Sequence, residues 1–440
     1  MIETLQILFI FTILVTLHEF GHYLPAKWFK VRVEKFYLFM DSGFSLFKKK
    51  IGETEWGIGW LPIGGYVKLS GMIDESMDTE QMKQEPQPWE FRTKPAWQRL
   101  IIMLGGIIVN LLLALFLYTA IFSYYGKKTI KTDDVQVNGL AFTETGHQVG
   151  FKDGDKILNV DGKVQPNFTR MVIDILLGNK VEVDRKGQKV IINMSDEKRA
   201  LILGNDGRNF INTLAPASVD SIIKGSNAEK YGLLEGDIIN GINGKTVETF
   251  FQFQKLLSEN NKDSLLLNIN RKGQNISLKA LTDSEGKLGF YSSNSDIGHL
   301  MTRTKYAFGD AFVESFKESK DQFVYNLKSL KLVISPKTGA YKQIKSPIGI
   351  ARMLPSTWNW EVVWNFTAML SVVLALMNLL PIPGLDGGHA LFTILEMITG
   401  KTLPVKIMTY IQTGGMIFLL TLMVLVLGKD IFQLITQKFF

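Results

Sequence analysis

The stretch Ile7-Leu8-Phe9-Ile10-Phe11-Thr12-Ile13-Leu14-Val15-Thr16-Leu17-His18-Glu19-Phe20-Gly21-His22 runs an apolar helix straight into two histidines that bracket a glutamate. Residues four apart share one helical face, so His18 and His22 can reach a single zinc ion while Glu19 is left to act on a water. The spacing reads as a metallohydrolase site. The apolar lead-in puts these ionisable groups at membrane depth, where they are costly and by default functional. A bare HExxH at a helix end also arises by chance, but here it lies inside an apolar span and has the partner motif described below.

The rest of the chain supports segregated apolar and polar blocks. Its 440 residues are long enough for several domains, and 21% of them are charged although mean hydropathy is slightly positive, at +0.10. The net charge of +7 is thinly spread. With no long Lys/Arg run and no nucleic-acid motif, it suits a membrane surface and makes nucleic acid an unlikely partner. The chain has no cysteine. That excludes disulfides and thiolate zinc ligands and leaves His, Asp and Glu as strong metal donors. The N-terminal apolar run carries Glu3 where a secretion signal has a basic region and lacks a small-residue cleavage site before His18, so it reads as a permanent span.

Four segments, approximately 4–27, 98–124, 362–384 and 407–427, are long enough to cross a bilayer core, which takes about 20 helical residues. Lys48-Lys49-Lys50 lies between the first two, and Lys401 and Lys406 between the last two. The positive-inside rule then puts both loops in the cytoplasm, with the termini and everything between spans two and three outside; the acidic residues from Asp74 to Glu90 weigh little against this. The fold class expected is a multi-domain integral membrane α+β protein.

In the first loop, Trp56-Gly57-Ile58-Gly59-Trp60-Leu61-Pro62-Ile63-Gly64-Gly65-Tyr66-Val67-Lys68-Leu69 alternates aromatic and aliphatic residues around a Pro/Gly turn, a pattern that predicts a β-hairpin. It serves either as a small sheet capping the helices or as a strand edge that pairs with a substrate backbone. Further on, Gly150, Gly154, Asp155, Ile157, Gly162 and Lys163 recur as Gly232, Gly236, Asp237, Ile239, Gly244 and Lys245. Arg185-Lys186-Gly187-Gln188 likewise returns as Arg271-Lys272-Gly273-Gln274. Two similar domains in tandem are expected. In the second, Gly225-Ser226-Asn227-Ala228-Glu229-Lys230-Tyr231-Gly232-Leu233-Leu234-Glu235-Gly236-Asp237 resembles the PDZ domains of bacterial proteases; the first copy is more diverged, with His147-Gln148-Val149 at Glu229-Lys230-Tyr231. Such domains hold peptides by strand addition, or here act as spacers that exclude large partners by bulk. Then Phe308, Phe312, Phe316, Phe323, Leu327 and Leu330 fall near helical spacing, as in an amphipathic helix on the outer membrane surface or one packed on the repeats. The boundaries read as 1–127, 128–205, 206–285, 286–345 and 346–440.

The third span ends in Asn378-Leu379-Leu380-Pro381-Ile382-Pro383-Gly384-Leu385-Asp386-Gly387-Gly388-His389. Two prolines interrupt a membrane helix, which is tolerated only where the freed backbone is buried in protein or lines a wet cavity. Catalytic zinc commonly has three protein ligands, and Asp386 offers the one that two histidines lack; its other reading is a helix-terminal cap. His389 reads as packing or as support for the ligands, and His147 and His299 as ordinary histidines of the extramembrane part.

His18-Glu19-Phe20-Gly21-His22, Gly64-Gly65-Tyr66-Val67-Lys68, Trp97-Gln98-Arg99, the tandem insert and Asn378 through Gly388 together resemble the site-2 protease family, in its bacterial form with tandem PDZ domains. The resemblance covers nearly the whole chain. HExxH in the first span with LDGG in the third is its specific part. It implies a four-span core in the bacterial inner membrane, PDZ domains on the periplasmic side and an active site open toward the cytoplasm. The implied activity is intramembrane cleavage of single-pass substrates, typically anti-sigma factors already trimmed outside, or remnant signal peptides. Asn378 would help hold the substrate backbone, Gly64, Gly65, Tyr66 and Val67 would form the membrane-embedded strand it pairs with, and the PDZ pair would filter by size. The family's second span often carries Gly-Pro-x-x-Asn. Gly106 and Asn110 match, with Ile107 at the proline, which puts the local bend in question more than a substrate contact by Asn110.

The mechanism expected is metal-assisted peptide hydrolysis, with Zn2+ on His18, His22 and Asp386, Glu19 as general base and then acid, and Asn378 near the developing oxyanion. A membrane adaptor with a structural zinc is the second class of function, but structural zinc normally closes its fourth position with protein. A metal transporter is the third, although the spans show none of the repeat symmetry that transporters often carry.

Overall fold

The computed structural model describes residues 2–62, 64–72, 84–205, 207, 209–260, 264–283, 286–292 and 297–439, so Asp74 and the acidic residues up to 83 lie outside it. Two compact units form, one of Met1–Gly126, Lys305–Lys328 and Ile344–Phe440, the other of Lys127–Thr304 and Ser329–Gln343.

The first unit is built on apolar helices. Helices α1 (Ile2–Trp28) and α2 (Ala96–Tyr124), the helix Trp360–Leu379 and the window Lys406–Phe432 of the helix Val405–Phe439 are each long and apolar enough to cross a membrane. Along α1 each of the buried residues Ile7, Ile10, Leu14, His18, Gly21, His22 and Pro25 has another three or four positions away, so one stripe carries both the packing surface and the two histidines. That stripe meets α2 at glycines. A Cβ on Gly21 would lie 2.7 Å from the Gly106 Cα, and one on Gly105 would run into the Gly21 carbonyl, so only glycine lets the two backbones come this close.

The third apolar helix stops at Leu379, short of the 384 expected, because Pro381 brings no N–H and pushes the residue before it out of the helical region; Leu380 is extended, at φ −63° and ψ 140°. After an irregular turn, a new helix runs from Asp386 to Thr399.

The loop after α1 forms a four-stranded sheet of β1 (Val33–Leu38), β2 (Met40–Ile51), β3 (Thr54–Leu61) and β4 (Tyr66–Leu69), in the order β2-β3-β1-β4. The hairpin expected between 56 and 69 does not form. Strand β1 lies between its two arms, parallel to β3 (Phe36 opposite Trp56) and antiparallel to β4 (Phe36 opposite Val67). The Pro/Gly turn reverses the chain, but the partner of each arm is the earlier strand. Phe36 packs on Trp56 with tilted rings 4.6 Å apart, and both meet α1 through Phe20 and Tyr23, beside the histidines. Strand β4 is left at the edge of the sheet.

In the helix Phe308–Ile334, whose part up to Lys328 belongs to this unit, Ala311 and Ser315 are buried and Ser315 Oγ bonds Thr119 Oγ1 of α2 at 2.8 Å. Phe308, Phe312 and Phe316 of the expected stripe are exposed, whereas Phe323 packs into the α2 cluster.

In the second unit the sequence repeat becomes a structural one. Antiparallel strands Lys156–Val160, Lys180–Arg185 and Gln188–Asn193 with the helix Phe168–Leu177 correspond to Ile238–Ile242, Ser264–Arg271 and Gln274–Leu281 with the helix Phe250–Glu259. The repeated letters are those of a buried ion pair. Arg185 forks onto both oxygens of Asp155 at 2.7 Å and reaches the Gly150 carbonyl; Arg271 does the same to Asp237 at 2.7 Å and to the Gly232 carbonyl. Both aspartate side chains have no solvent exposure, so the bidentate match offsets the cost of burying charge. The Asp237 carboxyl is pushed up by burial, but the Arg271 bonds and the Leu234 N–H outweigh this and hold it below the usual range.

Candidate metal centre

Three side chains from two separate stretches of chain converge in the first unit. His18 Nε2 lies 3.1 Å and His22 Nε2 3.2 Å from Asp386 Oδ2, and the two Nε2 atoms are 3.4 Å apart. The histidines come from consecutive turns of α1 and the carboxylate from the first residue of its helix. That helix can begin so close to the third span because Gly387 and Gly388 follow. A Cβ on Gly387 would sit 2.6 Å from the Leu379 carbonyl oxygen, and one on Gly388 2.6 Å from that of Ile382.

The protonation of the histidines follows from their outer partners. His22 Nδ1 lies 2.8 Å from the Ile102 carbonyl, which can only accept, so Nδ1 carries the hydrogen and Nε2 keeps its lone pair. His18 Nε2 lies 3.1 Å from Asn378 Nδ2, a donor, so it too is an acceptor and its hydrogen is on Nδ1. Behind it stands the carboxamide of Asn110, with Nδ2 3.1 Å from Nδ1 and Oδ1 buried without a partner. The two ends of a carboxamide are nearly isosteric, and a half-turn places that oxygen to accept from His18 Nδ1–H. Ser371 Oγ donates to the main-chain carbonyl of Asn110 at 2.7 Å and ties the third span to this support.

With both imidazoles neutral, two lone-pair nitrogens and a carboxylate oxygen face one another. Such a cluster is repulsive unless a cation occupies it. Its donor set and spacing fit zinc, since tetrahedral bonds of about 2.0–2.1 Å make edges of about 3.3 Å. Among the described residues this is the group of three His, Asp or Glu side chains able to hold an ion.

The cluster opens on a cavity of about 110 Å³ lined by Glu19, Asn378, His389 and Gly384 and, on the apolar side, by Val67, Leu69, Met72 and Met103. Gly65 and Tyr66 also line it, next to the edge strand β4. A Cβ on Gly65 would meet the Tyr37 carbonyl at 2.6 Å and Val15 Cγ1 at 2.7 Å, so glycine brings this strand against α1 one turn from Glu19. Gly64 is not part of the lining and has open space at its Cβ position.

Asn110 stands elsewhere than the substrate contact expected of it. It is fully buried behind His18 and does not line the cavity. His147 bonds Asp153 in the second unit, and the His299 side chain falls outside the described residues. The Ile102 carbonyl has no side-chain signal in the sequence, and Met72 and Met103 look there like ordinary core.

Residues 6–422 match peptidase family M50. A protein of Neisseria meningitidis provisionally named a zinc metalloprotease is 28% identical over 98% of both chains. The regulator of sigma-E protease RseP of Escherichia coli is 28% identical over 96% of both, as is the protease RseP of Yersinia pestis.

Proposed function

Because the chain belongs to peptidase family M50 and is a metalloprotease with four apolar helices, we propose that it hydrolyses a peptide bond within the membrane-spanning segment of single-pass membrane proteins, using a zinc ion on His18, His22 and Asp386. The observation that carries this is the three converging ligand atoms beside Glu19, in a cavity that also meets the edge strand of the sheet. Zinc bound there supplies Lewis acidity toward the scissile carbonyl and the attacking water.

The chain's own residues supply the rest. A helical substrate hides its carbonyls in internal hydrogen bonds, whereas an extended one laid along β4 pairs with the outward edge of Tyr66–Leu69 and presents a carbonyl to the cavity. Glu19 takes a proton from the attacking water and returns it to the leaving amine nitrogen, general base and then general acid. Asn378 Nδ2, already directed at the ligand cluster, donates toward the oxygen on which charge develops. Asn110 and the Ile102 carbonyl hold the two imidazoles in the tautomer that leaves Nε2 free.

The repeats of the second unit are read as PDZ domains on the periplasmic side that gate substrates by size, after outer-side trimming of anti-sigma-factor-like proteins or remnant signal peptides. What supports this is the PDZ-like Gly225–Asp237 stretch and the regulator-of-sigma-E name of the relative. The test is cleavage of a shortened single-pass substrate by the purified chain beside Glu19→Gln, with and without a zinc chelator. Loss of cleavage in both controls, with zinc retained by Glu19→Gln, is expected. Undiminished cleavage by Glu19→Gln would remove it as the base, and no cleavage by the zinc-loaded unmodified chain would favour the adaptor reading.

A further inference from the structure

The position of Asp386 depends on the turn before it, and that turn is held from outside the site. Between Leu379 and Asp386 the chain has no helix. Its Gly384 takes a left-handed φ of +91°, where a Cβ would also press on Met416 N at 3.2 Å and Leu419 Cδ1 at 3.3 Å of the last helix. From that helix Gln412 Oε1 accepts the Gly384 N–H at 2.5 Å, and one turn on, a Cβ on Gly415 would run into the Pro383 carbonyl. Gln412 does not line the cavity, yet Gly384, Leu385 and Asp386 all do.

Gln412 is a buried amide in an apolar helix, 6% exposed, and its Nε2 has no hydrogen-bond partner. A buried donor left unpaired destabilises the fold, and an apolar residue of the same shape would avoid that cost. Packing alone therefore does not account for the amide. Its acceptor oxygen does, because without it the Gly384 N–H has no partner and the turn loses its one side-chain tether to the last helix.

We propose that Gln412 is a positioning residue: by holding the Gly384 N–H it sets where the Asp386 carboxylate meets His18 and His22. This rests on the reading of Asp386 as a metal ligand. The turn is two residues from the carboxylate, so slack in it moves one ligand out of three, whereas the two histidines stay fixed by α1 and their outer partners.

The experiment uses the full chain in nanodiscs. Zinc affinity is measured by competition with a chromophoric chelator, and the melting temperature is measured on the metal-free form, for the unmodified protein, Gln412→Met, Gln412→Glu and Gly415→Ala. Gln412→Met keeps the shape without the acceptor and is expected to bind zinc about 10–100-fold more weakly, the range typical of lost outer partners of metal ligands, with a metal-free melting temperature unchanged or raised. Gln412→Glu keeps an acceptor oxygen and should recover most of the affinity. Gly415→Ala, pushing Pro383, should weaken zinc without touching Gln412. Affinity within twofold of the unmodified chain for Gln412→Met, or a loss that tracks a fall in the metal-free melting temperature, overturns the proposal. Failure of the unmodified chain to bind zinc at all overturns instead the metal-centre reading, and is told apart by needing no variant.

Discussion

Gly106 tests the site most directly. An ideal Cβ placed there lies 2.5 Å from His18 Cε1 and 2.5 Å from His22 Nε2, against an ordinary van der Waals distance of at least 3.4 Å. Gly106→Ala therefore requires the imidazoles to retreat by about 1 Å, or α2 to withdraw from α1 by a similar amount. Neither is free. His22 is held by the Ile102 carbonyl and His18 by Asn110 and Asn378, and α2 is in backbone contact with Gly21. Metal ligands tolerate about 0.2 Å of error, and a misplacement of about 1 Å at a reacting centre costs on the order of 100-fold in rate. Overpacking at the crossing adds about 1–3 kcal/mol of destabilisation. The assay is zinc per chain by mass spectrometry together with cleavage of a shortened substrate in proteoliposomes. Gly414→Ala, whose Cβ meets nothing within 4 Å, serves as control and should keep both. Full zinc content and activity in Gly106→Ala would refute the picture of α2 pressed against the ligand rings.

Other outcomes follow from the same geometry. Asp386→Ala should lose stoichiometric zinc, read by metal analysis after dialysis, and unchanged metal content would remove Asp386 from the ligand set. Asn110→Leu should weaken zinc by about 10–100-fold without touching the cavity wall, because His18 Nδ1–H then lacks its acceptor; a changed KM at full zinc occupancy would instead restore a substrate contact. Arg271→Leu leaves the Asp237 carboxylate buried and unpaired and should destabilise the second unit by about 3 kcal/mol, the low end for a broken buried pair because the guanidinium is 25% exposed, read by chemical denaturation. The depressed Asp237 carboxyl also makes this stability pH-dependent. It is fully present above the unfolded aspartate value of about 3.9 and is lost as pH falls further toward the folded value, so the unmodified chain should lose more stability on acidification than Arg271→Leu.

What was readable in advance was readable for local reasons. An apolar run of some 20 residues announces a membrane helix by itself, and the first two spans have nearly the ends that composition indicates, whereas Pro381 stops the third helix early and the last runs past 427 to Phe439. The repeated Asp-Arg letters marked a repeated unit before their role as a buried bidentate pair was visible. The strand pairing was misread because a Pro/Gly turn encodes a reversal and no partner: β1, twenty residues earlier, took the place between the two arms. The motif that marks Asn110 carries residue identity and no direction, so its place behind His18 is not legible in it. The signal of Gln412 in the sequence is an amide within an apolar helix, which says nothing of the turn it holds.

The sequence by itself determined the helical face that carries His18 and His22, the glutamate between them, the break at Pro381 and the glycines, since each is a property of neighbours within a turn or two. Only the tertiary structure decided that Asp386, more than 360 residues away, would face both imidazoles, that Asn110 would stand behind one of them, and that β4 would be the edge strand beside the cavity. Those facts depend on how closely α1, α2 and the last helix approach one another. That closeness comes from contacts between residues distant in the chain, which no local pattern carries.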